Sequence, residues 1–406
     1  METIFGFPAF VAGLGKDNKV LFETLNPKVN LMPSLLPEID PDGLLEYSVV
    51  YTDRALNHMS MSFRMVMIDI SKTLQTVYNS SSVVVVPGSG TFAMEAVARQ
   101  FATDKKCLVI RNGWFSFRWS QIFQMGNIPE SEIVLKATRA TDDHQSPFAP
   151  PAIDEVVAVI KSEQPDVVFA PHVETSAGMM LPDEYLIKVA EAVHEYGGLF
   201  VLDCIASGTI WVDMKKCGVD VLISAPQKGW SGTPCAGLVM LSDHAVSMME
   251  QTSSSSFACD LKKWHQIMGA YLTGGHAYHA TMPTDGLVKF RDAMKEMYRI
   301  GMANLKLQQI DLGTRIRRLL SEHGFKSVAA DGFQSPGVVV CYTDDPELKS
   351  GKKFADAGIQ IAAGVPLECN EPADFQSFRI GLFGVEKLQN VDRTIELFNK
   401  ALSSFA

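Results

Sequence analysis

The chain has no C-x-x-C pair, no H-E-x-x-H helix signature and no G-x-S-x-G elbow. Each absence removes support for one chemistry: structural zinc, zinc hydrolysis and serine hydrolysis in turn. The seven cysteines (Cys107, Cys204, Cys217, Cys235, Cys259, Cys341 and Cys369) are odd in number and widely spread. That usage fits free thiols in a reducing compartment, not a disulfide framework. Positive charge is scarce: 36 Lys+Arg stand against 46 Asp+Glu, a net −10, and no basic run occurs. Such a balance argues against nucleic acid or an anionic membrane surface as the partner. The longest apolar stretches, such as residues 83–87, are far too short to cross a bilayer. Met1-Glu2-Thr3 opens no secretory signal and Ser404-Phe405-Ala406 is no peroxisomal address, so a cytoplasmic location is expected. No metal site is expected.

What is present is a long chain of ordinary globular composition. Its 406 residues, 47% hydrophobic and 20% charged, suit an enzyme of two or three domains. Pro27, Pro33, Pro37, Pro41 and Gly43 read as an extended arm. Short β-branched runs then alternate with helical patterns. Strands are expected at 83–86, 107–110, 167–170, 199–202 and 221–223, with helices at 93–101, 153–161 and 184–196. Nearly continuous apolar strands separated by helices imply an α/β fold, a mainly parallel sheet covered on both faces. Beyond Pro283 a long amphipathic helix at 287–323 is expected to lead into a smaller α+β unit. That unit holds strands at 338–342 and 378–382 and helices at 351–357 and 391–405. The expected division is an arm at 1–56, a large domain at 57–286 and a small one at 287–406.

Ligands of parallel sheets gather at the carboxyl ends of the strands, and here each expected strand ends in something polar. Gly88-Ser89-Gly90-Thr91 follows the first strand and opens a helix, the arrangement of a phosphate cradle. With Ala93 the segment also satisfies the G-x-G-x-x-A dinucleotide pattern. Arg111-Asn112 stands where that pattern wants a ribose-binding acid, which disfavours NAD and leaves NADP open. An ordinary glycine turn would look the same. Asp203 closes an apolar strand, either as a helix N-cap or as the partner of a protonated ring nitrogen. Lys228 could be a solvated loop lysine. It lies just past the fifth strand among Trp230, Gly229 and Pro226, where a desolvated amine could form a Schiff base. Arg379 is either an edge-strand charge or a fork for a substrate carboxylate. His172 draws notice only through its neighbours. An anion site, an acid for a ring nitrogen, an aldehyde-trapping amine and a carboxylate anchor are together what pyridoxal phosphate requires.

Eight segments resemble, in order, motifs of the class V aminotransferases of fold type I. The likeness is greatest to the alanine–glyoxylate or serine–pyruvate and 2-aminoethylphosphonate–pyruvate types. They are Asn57-His58-Met59-Ser60, Gly88-Ser89-Gly90-Thr91, residues 112–118, residues 172–178, Asp203-Cys204-Ile205, Gln227-Lys228, Tyr278-His279-Ala280-Thr281 and Phe378-Arg379-Ile380-Gly381. The resemblance implies a fold type I transferase with pyridoxal 5'-phosphate as cofactor. It implies that Ser89, Gly90 and Thr91 hold the phosphate, that Phe115 stacks on the ring and Ile205 packs on its other face. Thr175 would lie near the phenolic oxygen, Asp203 on the ring nitrogen, and Gln227-Lys228 at the Schiff base. Tyr278 and Thr281 would reach the phosphate of a second subunit in a homodimer, and Arg379 would bind the substrate carboxylate. The implied reaction moves an amino group from alanine, serine or aminoethylphosphonate to glyoxylate or pyruvate by a ping-pong route. A pyridoxal-phosphate lyase or desulfurase is the alternative, with Cys369 as the candidate nucleophile. Ser116 replaces the usual glycine and Cys235 follows Pro234 where glycine is common. The G-P-x-P segment of the family has no counterpart before Tyr51.

Overall fold

The computed structural model describes residues 44–405; most of the expected arm, with its prolines, lies outside them. Residues 44–60 are irregular and lead into α1, Met61–Tyr78. Ser60 caps this helix by accepting from Phe63 N, and Phe63, Val66, Met67, Ile70 and Leu74 form its buried stripe, at the spacing a helix requires.

Alternation then builds the large sheet. Strands β1 (Ser82–Pro87), β2 (Lys106–Arg111), β3 (Ser131–Lys136), β4 (Val167–Pro171), β5 (Leu199–Asp203), β6 (Val221–Ser224) and β7 (Ala236–Leu241) hydrogen-bond in the order β1-β7-β6-β5-β4-β2-β3. The run β6-β5-β4-β2-β3 is parallel, whereas β7 is antiparallel to both neighbours. Two antiparallel steps restore direction, so β1 points the same way as β6. The central strands are buried along their whole length because helices cover both faces. Those helices include α2 (Gly90–Phe101), α3 (Trp114–Gly126), α4 (Ile153–Glu163), α5 (Asp183–His194), α6 (Asp243–Glu250) and α7 (Leu261–Leu272). The α2 helix starts at Gly90, three residues before the apolar pattern begins. That start puts its open N–H groups beside the sheet edge.

The long helix expected at 287–323 is two helices, α8 (Thr284–Ile300) and α9 (Met302–Glu322). Gly301 divides them with φ 99° and ψ 121°. Leu287, Phe290, Met294, Met297, Leu305, Leu312, Ile316 and Leu320 are buried on both sides of the break, so the apolar period runs through it and conceals it. The second sheet pairs β8 (Val338–Tyr342) and β9 (Ala362–Ala363) antiparallel with the intervening β10 (Ser377–Gly381). The helix expected at 351–357 is Lys352–Asp356, preceded by another short helix, Pro346–Ser350, and α10 (Val391–Leu402) closes the chain. All seven cysteines are buried and free. No helix among the described residues is long and apolar enough to cross a membrane.

An added Cβ at 301 would crowd only the Asn304 side chain, at 3.2 Å, which can shift by a few tenths of an ångström. Its cost is backbone strain at positive φ. Gly301→Ala should therefore lower stability by about 1–3 kcal/mol, read as a lower urea midpoint with an unchanged slope.

Candidate active site

The strands β1, β2, β4, β5 and β6 end on one side of the sheet, and the segments following them converge on a pocket of about 110 Å³. Ser89, Gly90 and Thr91 line it after β1, Phe115 and Arg118 after β2, and Val173 and Thr175 after β4. Asp203 and Ile205 come from the end of β5, Gln227 and Lys228 from the loop after β6. Nine of the sequence-expected residues thus meet in one place.

Asp203 sits between Pro171 of β4 and Ile223 of β6 and is only 8% exposed. The residues after it form a turn rather than a helix, so it is no helix cap; its Oδ1 accepts from Ile205 N at 2.9 Å. Burial pushes its carboxyl up to about 6, against the opposing pull of that hydrogen bond and of the Lys228 charge. Lys228 follows β6 on a segment anchored by Trp230, which is fully buried against Tyr78, Trp211 and Phe290. Burial lowers the basicity of its amine; Asp203 raises it, and the Arg118 and Arg379 charges lower it further. Both groups are therefore held away from their usual charged states.

Phe115 is the hub of the cationic side. The guanidinium carbons of Arg118 and Arg379 lie 5.2 and 5.5 Å from its ring centre, and Lys228 Nζ lies 5.9 Å away. Lys228 Nζ is equally 5.9 Å from the Phe383 ring. Arg379 comes from β10 of the second sheet, its Nε donating to Ala363 O at 2.7 Å. It thus crosses from the second sheet to the edge of the pocket. At the phosphate end Ser89 precedes α2 in extended conformation and makes no side-chain cap. Thr91 Oγ1 accepts from Arg118 at 3.2 Å. A Cβ on Gly90 would come within 2.6 Å of Ile205 Cδ1, so a side chain there would push Ile205 into the pocket.

Sequence reasoning assigned no role to Glu174 or Arg118. Glu174 is fully buried and fixes the N-terminus of α3. Its carboxylate accepts from Phe115 N (3.2 Å), Ser116 N (2.8 Å) and Ser176 N (3.0 Å). The Ser116 and Ser176 hydroxyls donate to it as well, at 2.8 and 2.7 Å. A carboxylate at a helix N-terminus is favoured by the open N–H groups there, and this one sets where the Phe115 ring stands. The available signal was an acid just past a buried strand with serine two residues on. Ser116, in place of the family's glycine, is one of its donors.

Tyr278 and Thr281 do not line this pocket. They pair with each other, Oη to Oγ1 at 3.2 Å, and Tyr278 is 55% exposed. His172 is buried against Ser207 Oγ at 2.7 Å, and burial lowers its basicity to about 4; it serves packing. Arg111 lies under the Phe117 ring at 4.5 Å and donates to Ser120 Oγ at 2.6 Å. It therefore offers nothing to a ribose phosphate, and the dinucleotide reading of the glycine segment fails. Cys369 is buried, its Sγ donating to Arg111 O at 3.3 Å, and burial pushes its thiol up to about 12.

The donor set fits pyridoxal phosphate: uncapped N–H groups at the start of α2 for a phosphate, and a buried acid short of counter-charge for a pyridinium. A desolvated amine stands ready for an aldehyde.

The comparisons agree. The family description Aminotransferase class-V matches residues 44–392. A 2-aminoethylphosphonate–pyruvate transaminase of Pseudomonas aeruginosa is 27% identical over 333 residues, covering 80% of this chain and 83% of the relative. An alanine–glyoxylate aminotransferase of Rattus norvegicus is 24% identical, covering 86% of this chain and 82% of its own length. The crystal structure of an alanine–glyoxylate aminotransferase from Nostoc sp. superposes with a TM-score of 0.71 at 21% identity, over 85% of this chain and 88% of that one. A cysteine desulfurase from Thermococcus onnurineus shares the fold at a TM-score of 0.61 and 13% identity, over 84% of each chain. The chain belongs to the class V aminotransferases, pyridoxal-phosphate enzymes of fold type I.

Proposed function

We propose that this aminotransferase moves the amino group of a small donor of the alanine, serine or aminoethylphosphonate type to a small 2-oxo acid such as glyoxylate or pyruvate. The observation that carries this reading is the joint placement of Lys228, Asp203 and Arg379. A desolvated amine and a buried acid share one pocket, and a guanidinium from the second sheet stands across the same phenyl ring. Named relatives that act on aminoethylphosphonate with pyruvate and on alanine with glyoxylate support the substrate class.

When bound, pyridoxal phosphate supplies an aldehyde that captures the substrate amine and a ring that stores the electron pair left by the departing α-proton. Lys228 would be the residue that holds that aldehyde until substrate arrives. Its amine, freed by the substrate, then carries the α-proton from carbon to carbon as a general acid–base. Lowered basicity suits it to both tasks. Asp203 would hold a proton at the ring nitrogen, and the charge of that group would relieve the carboxylate of its isolation. Ser89, Gly90 and Thr91, with Gln227, would hold the phosphate, and Phe115, Ile205 and Thr175 would line the ring. Arg379 grips the substrate carboxylate as a planar fork. Donor product leaves before the acceptor binds, hence ping-pong kinetics. Cys369, buried and with a raised thiol, lends the desulfurase alternative no support.

The assembly proposed is a homodimer in the cytoplasm, in which Tyr278 and Thr281 complete the neighbouring site. Within each chain, residues 57–286 form the cofactor domain and residues 287–406 the smaller domain that brings Arg379.

The direct test mixes holoenzyme with candidate amines and follows conversion of the bound cofactor to its aminated form by absorbance. Alanine, serine or aminoethylphosphonate should convert it, and Lys228→Ala should lose both the absorbance and turnover; retained turnover would overturn the assignment. Arg379→Lys should raise KM for the amino-acid donor about 10- to 100-fold, since a point charge cannot replace a two-pronged fork.

The pH dependence of the cofactor-free protein follows from Asp203. Its folded pKa lies above the ordinary value, so its contribution to stability is greatest at low pH and is lost as pH rises through about 6. Asp203→Asn removes that loss. The variant should gain up to about 3 kcal/mol over wild type near neutrality and almost nothing near pH 4. Paired thermal melts of the cofactor-free proteins at the two pH values check this, and the variant should retain cofactor poorly.

A further inference from the structure

The sheet edge opposite the pocket carries a second cluster of polar side chains. His194 closes α5, Asp220 immediately precedes β6, and His244 lies in the first turn of α6. His194 Nε2 is 2.7 Å from Asp220 Oδ2, and His244 Nδ1 is 3.4 Å from Asp220 Oδ1. One nitrogen or oxygen from each of the three residues falls within 4.8 Å of the others. Asp220 is buried, whereas the two imidazoles are more than one-third exposed. All three line a cavity of about 260 Å³.

The carboxylate is already aimed. Phe200 N donates to Oδ2 and the Ser242 hydroxyl to Oδ1, each at 2.9 Å. A carboxylate oxygen has two lone pairs, so each oxygen keeps one directed toward an imidazole. Outer hydrogen bonds of this kind orient metal-binding carboxylates.

We propose that His194, Asp220 and His244 bind one divalent transition cation of the zinc type. Two imidazoles and a carboxylate supply three ligands of the usual set, and the adjoining cavity leaves a fourth position for water. Metal–ligand bonds of about 2.0–2.1 Å place tetrahedral ligands roughly 3.3 Å apart. The His244–Asp220 separation already stands at that spacing. His194 has to withdraw by about half an ångström, and the imidazoles turn slightly toward each other, which half-exposed side chains can do. Imidazole ligands favour zinc, nickel or copper over magnesium and calcium. Asp243 and Lys215 also border the cavity, so their charges offset and leave no net repulsion of a cation. The bound ion would tie the end of α5, the start of β6 and the start of α6 together. These stand at the opposite end of β5 and β6 from Asp203 and Lys228, so its effect is on stability and not on the reaction.

Calorimetric titration of the cofactor-loaded protein with zinc at about pH 8 tests the site, since metal ligands must be deprotonated. One equivalent should bind with a Kd at or below about 1 µM, raise the melting temperature, and leave turnover unchanged. Magnesium should do neither. His244→Ala, on a half-exposed helix turn, and His194→Gln should each weaken zinc binding at least 10-fold while keeping wild-type turnover. Uptake by both variants equal to wild type would mean adventitious binding elsewhere and would overturn the proposal. So would failure of the wild type to bind at 100 µM zinc. Because turnover is read separately, these outcomes are independent of the transaminase assignment.

Discussion

The structure turns on a carboxylate placed where a carboxylate is costly. Asp203 ends a strand buried on both faces, and burial, outweighing the pull of the Ile205 hydrogen bond and of nearby cations, lifts its pKa to about 6. No apolar core requires an acid there, and a leucine at the end of β5 would pack at less cost. The same condition applies to Lys228, whose amine is held below its ordinary basicity largely by desolvation. Each is poorly satisfied by water, and each is suited to one end of a flat cationic heterocycle bearing an aldehyde. Stability given up at two positions becomes affinity for the group that relieves both.

That arrangement depends on the sheet delivering five chain segments to one edge. The β7 strand makes this possible. By running antiparallel between β1 and β6 it lets β1 point with the parallel strands, so the phosphate segment and the Lys228 loop open on the same side. On that side α2 contributes its N-terminus and Glu174 clamps α3, which fixes Phe115 by the backbone rather than by its own contacts. The second sheet then adds Arg379 from across the ring. Each reactive group is thus carried by a different strand end or by the segment that follows it, so strand register sets the starting point of each.

Much of this was legible in the sequence because buried parallel strands are dense in Val, Ile and Leu and end abruptly in polar residues. The segments 83–86, 107–110, 167–170, 199–202 and 221–223 all proved to be strands, each longer by one or two residues. Two features escaped for physical reasons. Gly301 breaks a helix whose apolar period continues across the break, and a period carries no record of φ. The roles of Glu174 and Arg118 depend on tertiary neighbours, namely the α3 N-terminus and Thr91, which no local pattern encodes. The strands β3 and β7 escaped as well. Ser131–Lys136 is partly exposed along its length, so its alternation is weak. Ala236–Leu241, although wholly buried, starts with Ala-Gly and lacks the β-branched density of its neighbours.

The net charge of −10 looks at odds with a site for two anions, a phosphate and a substrate carboxylate. The resolution is local. Arg118, Arg379 and Lys228 surround one phenyl ring within 6 Å of its centre, whereas the nearest acids are already committed. Glu174 is tied up by hydrogen bonds from three backbone N–H groups and two hydroxyls. Asp203 is buried and is held toward its neutral form. The pocket is therefore a positive spot in an acidic protein, walled by low-dielectric side chains that concentrate its field. Surface charge repels polyanions at long range, and salt screens that repulsion beyond about 8–10 Å. A small dianion that reaches the pocket mouth meets the guanidinium groups instead. Exclusion of large anions and capture of small ones are thus compatible, because they act at different distances.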